Sequence, residues 1–283
     1  MQFDILPPEP FLNGKPYNIE DCYSEQASLF NNRLHFHPFH EMSIIYEGCS
    51  DFLINGNVYT LGDHSIQLIR PSDYHRQQTG AGQHIRYYNI IFMPEFLTKQ
   101  MQDALGRTEG VLCANLGKTD WRSCIRLARA VHRAFSEQQK DDLTEAFLRC
   151  NIENLCILLL RCCQGTPAPC SDISSEAIRR AVLFIHSQYR EQITLAQAAE
   201  HAGLSASYFS GIFHKAMGVT FARYLLDYRL MIAERYLRQA DLSVKQIASA
   251  CGFRSCSHFN VVFKQRFGCA PGIWRDRNHC ETS

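Results

Sequence analysis

No apolar run in this sequence approaches the ~18–20 residues needed to cross a bilayer. The densest, Leu155 to Leu160, is far shorter. The opening MQFDILPPEP has neither the basic start nor the apolar stretch of a secretory signal. A disulfide framework is missing too. The 13 cysteines are odd in number and scattered, many of them on predicted helices, and the adjacent Cys162 and Cys163 cannot readily bridge. Such a pattern fits the reducing cytoplasm, which is the expected location, off the membrane. Core cysteines are a simpler reading than a redox or metal sensor built on thiols.

What is present points to two domains. A chain of 283 residues exceeds the usual ~100–200 of one domain, and an apolar content of 46% is ample for real cores. The net charge of +1 hides an asymmetry. From Asp172 onward there are 14 Lys and Arg against 9 Asp and Glu; before it there are 15 against 19. A basic C-terminal domain on an acidic N-terminal one fits a nucleic-acid reader attached to a different module.

The C-terminal part repeats itself. TLAQAAEHAGLSASYFSGIFHKAMG, from Thr194, returns as SVKQIASACGFRSCSHFNVVFKQRFG, from Ser243. Ala199 matches Ala248, and Gly203 matches Gly252. After a turn one residue longer, Phe209 matches Phe259, Phe213 matches Phe263 and Gly218 matches Gly268. Internal periodicity of this kind marks a repeated structural unit. Thr194 and Ser243 suit helix N-caps, and the inner glycines suit helix C-caps with positive φ. Each copy therefore predicts a helix-turn-helix, whose second helix turns Phe209, Ile212, Phe213 and Met217, or Phe259, Val262, Phe263 and Phe267, inward.

The outward faces carry the candidate DNA-binding residues. Ser207, Ser210, Gly211 and His214 recur at helical spacing in the first copy; Ser257, Asn260, Val261 and Lys264 do so in the second, beside Cys256. A short, mostly uncharged face suits a major groove, where Asn pairs bidentately with adenine and Val touches a thymine methyl. Lys215, Arg223, Arg254, Lys264 and Arg266 are placed to hold phosphates. With the joining helix and the closing Ala270-Pro271-Gly272-Ile273-Trp274-Arg275, residues 176–277 resemble the DNA-binding domain of AraC/XylS-family transcriptional regulators. The resemblance implies double-stranded DNA, RNA polymerase and a second copy of the chain as partners, and activation as the usual outcome.

The N-terminal part predicts short strands. Met42 to Tyr46 and Asp51 to Ile54 come first, then an Asn55-Gly56 hairpin signal, Val58 to Leu61, Ser65 to Ile69, and a β-rich stretch from His84 to Phe92. This region resembles a cupin. His35-x-His37-x3-Glu41-x6-Gly48 has the first motif's spacing, with Leu29 at its leading glycine, and Pro71-x-Asp73-x-His75 resembles the second. In metal-bearing cupins the matching residues, here His35, His37, Glu41 and His75, are ligands. Regulators of the resembled family keep such a barrel as an effector pocket instead. These four, with Tyr46 and Tyr87 among the stacking aromatics, are therefore read as lining for a small-molecule effector, a sugar as first choice. No metal and no other cofactor is assigned. Arg70 and Arg86 have two equal readings, as partners for an effector carboxylate or as surface cations.

Helices are predicted at Glu95 to Leu105, Trp121 to Gln138 and Leu143 to Cys163; the last is too apolar to face water all round and packs internally or on a second copy. The expected architecture is α+β with two domains. Residues 1–163 form a cupin-like β-barrel with dimerisation helices, 164–175 a linker, and 176–283 an all-α domain with two helix-turn-helices. The expected function is effector-controlled, sequence-specific transcriptional regulation without enzymatic activity. Its rivals are a metal-dependent cupin enzyme fused to a DNA-binding domain and an architectural DNA-binding protein with no effector.

Overall fold

The computed structural model describes residues 4–5, 9–12, 15–25, 34–71, 73–80, 82–108, 110–137, 142–163, 173–239 and 242–279. Leu29 and most of the expected linker, 164–172, lie outside these described residues. The chain divides into two compact units, Met1–Glu176 and Ala177–Ser283.

The first unit contains strands β1 (Asp4–Ile5), β2 (Tyr17–Ser24), β3 (His35–Phe36), β4 (His40–Ile54), β5 (Asn57–Gly62), β6 (Ser65–Ile69), β7 (His75–Gln78), β8 (Ile85–Phe92) and β9 (Leu112–Asn115). Its helices are α1 (Glu9–Leu12), α2 (Lys99–Arg107), α3 (Lys118–Ser136) and α4 (Asp142–Cys163). The long strand β4 belongs to two leaves. Its first half pairs with β8 and β6; its second half pairs with β5 and β7. Among the described residues the ladders do not close into a ring, so the cupin-like barrel is an open, two-leaved sheet.

The two strands expected between Met42 and Ile54 are one strand with a bulge. Register shifts between Ile45 and Glu47, which inserts one residue and inverts the alternation beyond it. Gly48 follows at φ +81°, and a Cβ there would stand 2.0 Å from the His84 carbonyl oxygen. Only glycine lets β8 approach so closely. The Asn55-Gly56 hairpin is present, both residues at positive φ (49° and 86°), which matches the twist of the flanking strands.

Alternation sorts the side chains of β4, β6 and β8. Met42, Ile44, Ile66, Leu68, Ile90 and Phe92 form one apolar cluster with Cys124, Ala128 and Val131 of α3 and Leu148, Ile152, Leu155 and Leu159 of α4. Each large aliphatic side chain buried there contributes ~1.5–3 kcal/mol. The other face turns Ile45, Ile69, Ile85 and Tyr87 toward Phe52, Ile54 and Leu61 of the second leaf, making an interior. Glu41, Ser43, Gln67 and Asn89 share that face by the two-residue period.

Several boundaries differ from expectation. The helix expected from Glu95 is a 3-10 turn at Pro94–Phe96, then α2, whose N-cap Thr98 accepts from the Met101 amide. α3 starts at Lys118 rather than Trp121, with Gly117 as its N-cap. β7 and β9 were not expected; HRQQ and LCAN are too short and too poor in β-branched residues to signal strands alone.

The second unit is all-helical: α5 (Ile173–Gln188), α6 (Leu195–His201), α7 (Ala206–Met217), α8 (Phe221–Gln239), α9 (Val244–Ala250), α10 (Cys256–Phe267) and α11 (Pro271–His279). α8 packs against both α7 and α9. Phe209, Phe213, Phe259 and Phe263 are fully buried, and Trp274 of α11 meets Phe263 edge-on. The two halves thus repeat in core as they do in sequence. His186 of α5 stacks on Tyr228 at 4.1 Å and bonds the Tyr224 hydroxyl; burial holds its pKa down to about 3.

Candidate DNA interface and interior polar site

The pairs α6–α7 and α9–α10 are built by the same devices. The Thr194 hydroxyl accepts from the Gln197 amide at 3.3 Å while the Gln197 side chain accepts from the Thr194 amide at 2.8 Å. Ser243 and Gln246 repeat this reciprocal cap at 3.3 and 2.9 Å. Each cap satisfies two amides that the first helical turn leaves without partners. Ser205 and Ser255, which the pattern did not single out, cap α7 and α10 in turn.

The structure places the candidate reading residues on open faces of these two helices. Ser207, Ser210, Gly211, His214 and Lys215 of α7 are exposed, as are Ser257, Asn260, Val261 and Lys264 of α10. Cys256 is half-buried at the start of α10, 3.7 Å from the Asn260 amide nitrogen. Val261 is 55% exposed, an apolar side chain held in water with no intramolecular reason to be there. Arg254 is exposed and donates to Gln192 at 2.8 Å, while Gln192 donates to the Gly252 carbonyl at 2.8 Å. The turn therefore orients this cation. Arg223, expected on a phosphate, forms an ion pair with Asp227 at 2.8 Å. Tyr208, missed in the sequence, is 56% exposed on α7; a large aromatic between two serines of the outward face was the available signal.

In the first unit, His35, His37, Glu41 and His75 do converge. His35 on β3 lies directly opposite His75 on β7, with ring centroids 4.3 Å apart. Glu41 Oε2 is 2.9 Å from His37 Nε2 and 3.5 Å from His75 Nε2. The three histidines are buried. Burial pushes the His37 imidazole down against the opposing pull of Glu41. Burial would push the Glu41 carboxyl up, but its contacts with His37 and His75 hold it well below the usual carboxylate range. His40 points the other way along β4, as alternation requires, and stacks on Phe92.

The expected aromatics separate. Tyr87 lines the interior. Tyr46 does not: it sits at the bulge on the opposite face, its hydroxyl on Asp21 and its ring against Tyr88 at 5.2 Å. It is removed from the effector-site set. Arg70 is also unavailable. It is buried in a clamp, bonded to Asp73 and to the Thr108 and Gly110 carbonyls. Arg86 is exposed beside Glu47 and over the Tyr23 ring.

Sequence reasoning missed a polar row beside the histidines. Ser43 lies opposite Asn89 on one side and Gln67 on the other. Gln67 bonds Ser43 at 3.2 Å, and Asn89 donates to Glu41 Oε1 at 3.1 Å. The carbonyl oxygens of Gln67 and Asn89 are buried without a partner, which is costly unless a ligand or water supplies a donor. A separate cleft of about 350 Å3, lined by Tyr59, Leu61, Cys113, Asn115 and Cys162, shares no residue with this cluster.

Comparison with known proteins agrees with both units. Residues 19–151 match the AraC-like ligand binding domain model, and residues 198–277 match a helix-turn-helix domain model. The chain belongs to the AraC family of transcriptional regulators. The HTH-type transcriptional regulator YfiF of Bacillus subtilis is 24% identical over 270 residues, which is 89% of this chain and 82% of that protein. The HTH-type transcriptional activator RhaR of Cronobacter sakazakii is 24% identical over 250 residues, covering 86% of each. Among solved structures, ToxT from Vibrio cholerae bound to an unsaturated fatty acid aligns over 92% of this chain and 94% of its own, at 14% identity and a TM-score of 0.45. As an AraC-family member the chain combines a ligand-binding N-terminal domain with a DNA-binding helix-turn-helix domain, and its relatives are regulators of transcription. No helix among the described residues is long and apolar enough to cross a membrane.

Proposed function

We propose that this AraC-family regulator is a cytoplasmic activator without enzymatic activity. In this reading it binds two successive major-groove segments as a homodimer and answers to a small polar effector held in its N-terminal unit. The observation that carries the reading is the repeated open face of α7 and α10, short and mostly uncharged between cations. Asn260 and Val261 read bases; Ser207, Ser210, Gly211, His214, Cys256 and Ser257 line the same faces; Lys215, Arg254 and Lys264 hold phosphates. The interior row of Ser43, Gln67 and Asn89 suits a hydroxyl-rich effector, a sugar among them, because unpartnered acceptors take hydroxyl donors. Effector and DNA are coupled only if the effector binds two states of the protein unequally. RNA polymerase is the partner an activator requires.

Two substitutions on α10 separate the roles. Asn260→Ala is expected to cost ~1–3 kcal/mol and to relax preference at one base pair. Lys264→Ala is expected to weaken binding to all sequences alike and to lower the salt slope by about one. Binding titrations against a selected site and its single-base variants, at several salt concentrations, check both. An equal loss on every sequence for Asn260→Ala removes base reading from that residue.

The dimer is proposed on α4. Leu143, Phe147, Cys150, Asn154, Ile157 and Arg161 are all exposed and alternate steps of four and three residues along the helix. That is the seam of a two-helix coiled coil, in which one central Asn sets register. Leu143 is 80% exposed, while Leu148, Ile152, Leu155 and Leu159 are buried on the opposite side. Phe147→Glu combined with Ile157→Glu is expected to yield a folded monomer by sedimentation. An unchanged dimer would move the interface elsewhere.

A further inference from the structure

We propose that Gln192 is a positioning residue for DNA binding: it aims the Arg254 guanidinium at a backbone phosphate without touching DNA itself. The inference rests on the reading of Arg254 as a phosphate contact and adds what holds that cation in place. It starts from a difference between the twin motifs. Both turns run through the same backbone bonds. The Gly203 amide donates to Glu200 and the Leu204 amide to Ala199; the Gly252 amide donates to Ser249 and the Phe253 amide to Ala248. Ser205 and Ser255 then cap the reading helices. Leu204 therefore matches Phe253, and Arg254 is the residue that the first turn lacks.

Gln192 grips this inserted residue. Phe253 is buried against Phe259, with ring centroids 4.9 Å apart, and the next residue, Arg254, turns outward and is exposed. Arg254 Nε donates to Gln192 Oε1 at 2.8 Å, and Gln192 Nε2 donates to the Gly252 carbonyl at 2.8 Å. A guanidinium only donates and a carbonyl only accepts, so the amide has one orientation that satisfies both. One end holds the cation and the other holds the turn that carries it. Gln192 is itself fixed from behind. Arg229 of α8 donates to the Tyr189 carbonyl at 2.7 Å and to the Glu191 carbonyl at 2.6 Å, which pins the segment between α5 and α6. Thr194, the cap of the first motif, follows two residues after Gln192, so the same side chain ties the start of one motif to the turn of the other.

The chemistry of the holder suits the task. A glutamate at this place would neutralise the cation it held, as Asp227 does for Arg223 at 2.8 Å. A neutral amide orients Arg254 and leaves its charge for DNA. It takes the Nε donor and leaves the terminal nitrogens, whose parallel N–H groups match two oxygens of a phosphate. Holding a long side chain in place before contact also removes part of the rotamer entropy that binding would otherwise cost.

The test is a double-mutant cycle on the full-length protein, titrated at several salt concentrations with a duplex that wild type selects from a randomised pool. Arg254→Ala is expected to weaken binding and to lower the salt slope by about one. Gln192→Met keeps the bulk and loses both hydrogen bonds. It is expected to weaken binding about 3–10-fold, a fraction of the rotamer freedom of an arginine. The salt slope should stay unchanged, because every cation remains. In the Arg254→Ala background the same change should alter affinity by less than about twofold. Gln192→Ala, run through the same cycle, separates loss of the bonds from any effect of the thioether. A residue that merely shored up the Gly252 turn would lower affinity equally with or without Arg254. Such additivity overturns the proposal, as does wild-type affinity in Gln192→Met. An unchanged salt slope in Arg254→Ala overturns the phosphate reading beneath it, and is told apart because it arises with Gln192 intact.

Discussion

Arg70→Ala is expected to cost the N-terminal unit about 3–5 kcal/mol of its stability. Arg70 is 2% exposed and Asp73 is wholly buried. The Arg70 Nε and NH2 groups donate to the two Asp73 oxygens at 2.9 and 3.2 Å. Its remaining donors reach the Thr108 carbonyl at 2.6 Å and the Gly110 carbonyl, so one side chain ties the β6–β7 turn to the segment ahead of β9. Burial would raise the Asp73 carboxyl, but the Arg70 charge and hydrogen bonds, with that from Asn55, hold it below its usual range. Truncating Arg70 strands a buried carboxylate and removes the donors of two half-buried carbonyls. Removing one partner of a buried ion pair typically costs about 3–5 kcal/mol, against a total stability of about 5–15 kcal/mol. Arg70→Lys should recover little, because an ammonium cannot repeat the planar fork. Arg70→Met with Asp73→Leu should recover part of the loss by removing both charges. Chemical unfolding of all three checks this. A loss for Arg70→Ala under about 1 kcal/mol, the scale of an exposed pair, would mean the clamp is open to water.

Gly252→Ala is expected to abolish DNA binding, whereas Gly203→Ala at the matching turn should leave most of it. Both glycines have positive φ, +77° and +72°, and an alanine in that region costs roughly 1–2 kcal/mol. The difference lies in the surroundings. A Cβ on Gly252 would stand 2.5 Å from the Tyr189 carbonyl oxygen and 2.7 Å from that of Arg190; one on Gly203 meets nothing within 4 Å. The Tyr189 carbonyl cannot retreat easily, because Arg229 donates to it at 2.7 Å. The Gly252 carbonyl is itself held by Gln192. Overpacking of this kind adds roughly 1–3 kcal/mol, and the displaced turn carries Arg254 and the start of α10. Thermal unfolding and DNA titration of the two variants side by side decide the matter; equal effects would mean that crowding at Gly252 relaxes without consequence.

Much of this architecture could be read from residue order. The twin motifs were legible because each position that caps, turns or anchors is repeated in kind: Thr194 with Ser243, Gly203 with Gly252, Phe213 with Phe263. The histidine cluster was legible from spacing, since His35, His37 and Glu41 recur at even intervals. Alternation from Glu41 also puts Tyr46 on the far face, and counting it into the pocket ignored that parity. The bulge beyond Ile45 then resets the parity, so that Ser50, Phe52 and Ile54 turn inward. No local pattern announces an inserted residue. Ser43, Gln67 and Asn89 were missed because they become neighbours only through the register of three strands. Arg70 looked available because the carbonyls it grips lie 38 and 40 residues further on.

β4 has a mechanical consequence. Glu41 and Ser43 look into the interior while Met42 and Ile44, between them, join the apolar cluster of α3 and α4. A molecule gripping the odd-numbered side chains therefore pulls on the same few peptide units that seat the seam helix. In the proposed dimer, the effector row and the seam of α4 would be separated by one strand's thickness plus one layer of side chains. On the α4 dimer proposed above, a rotation of that strand about its bulge is the shortest route by which a filled interior would reach a second copy.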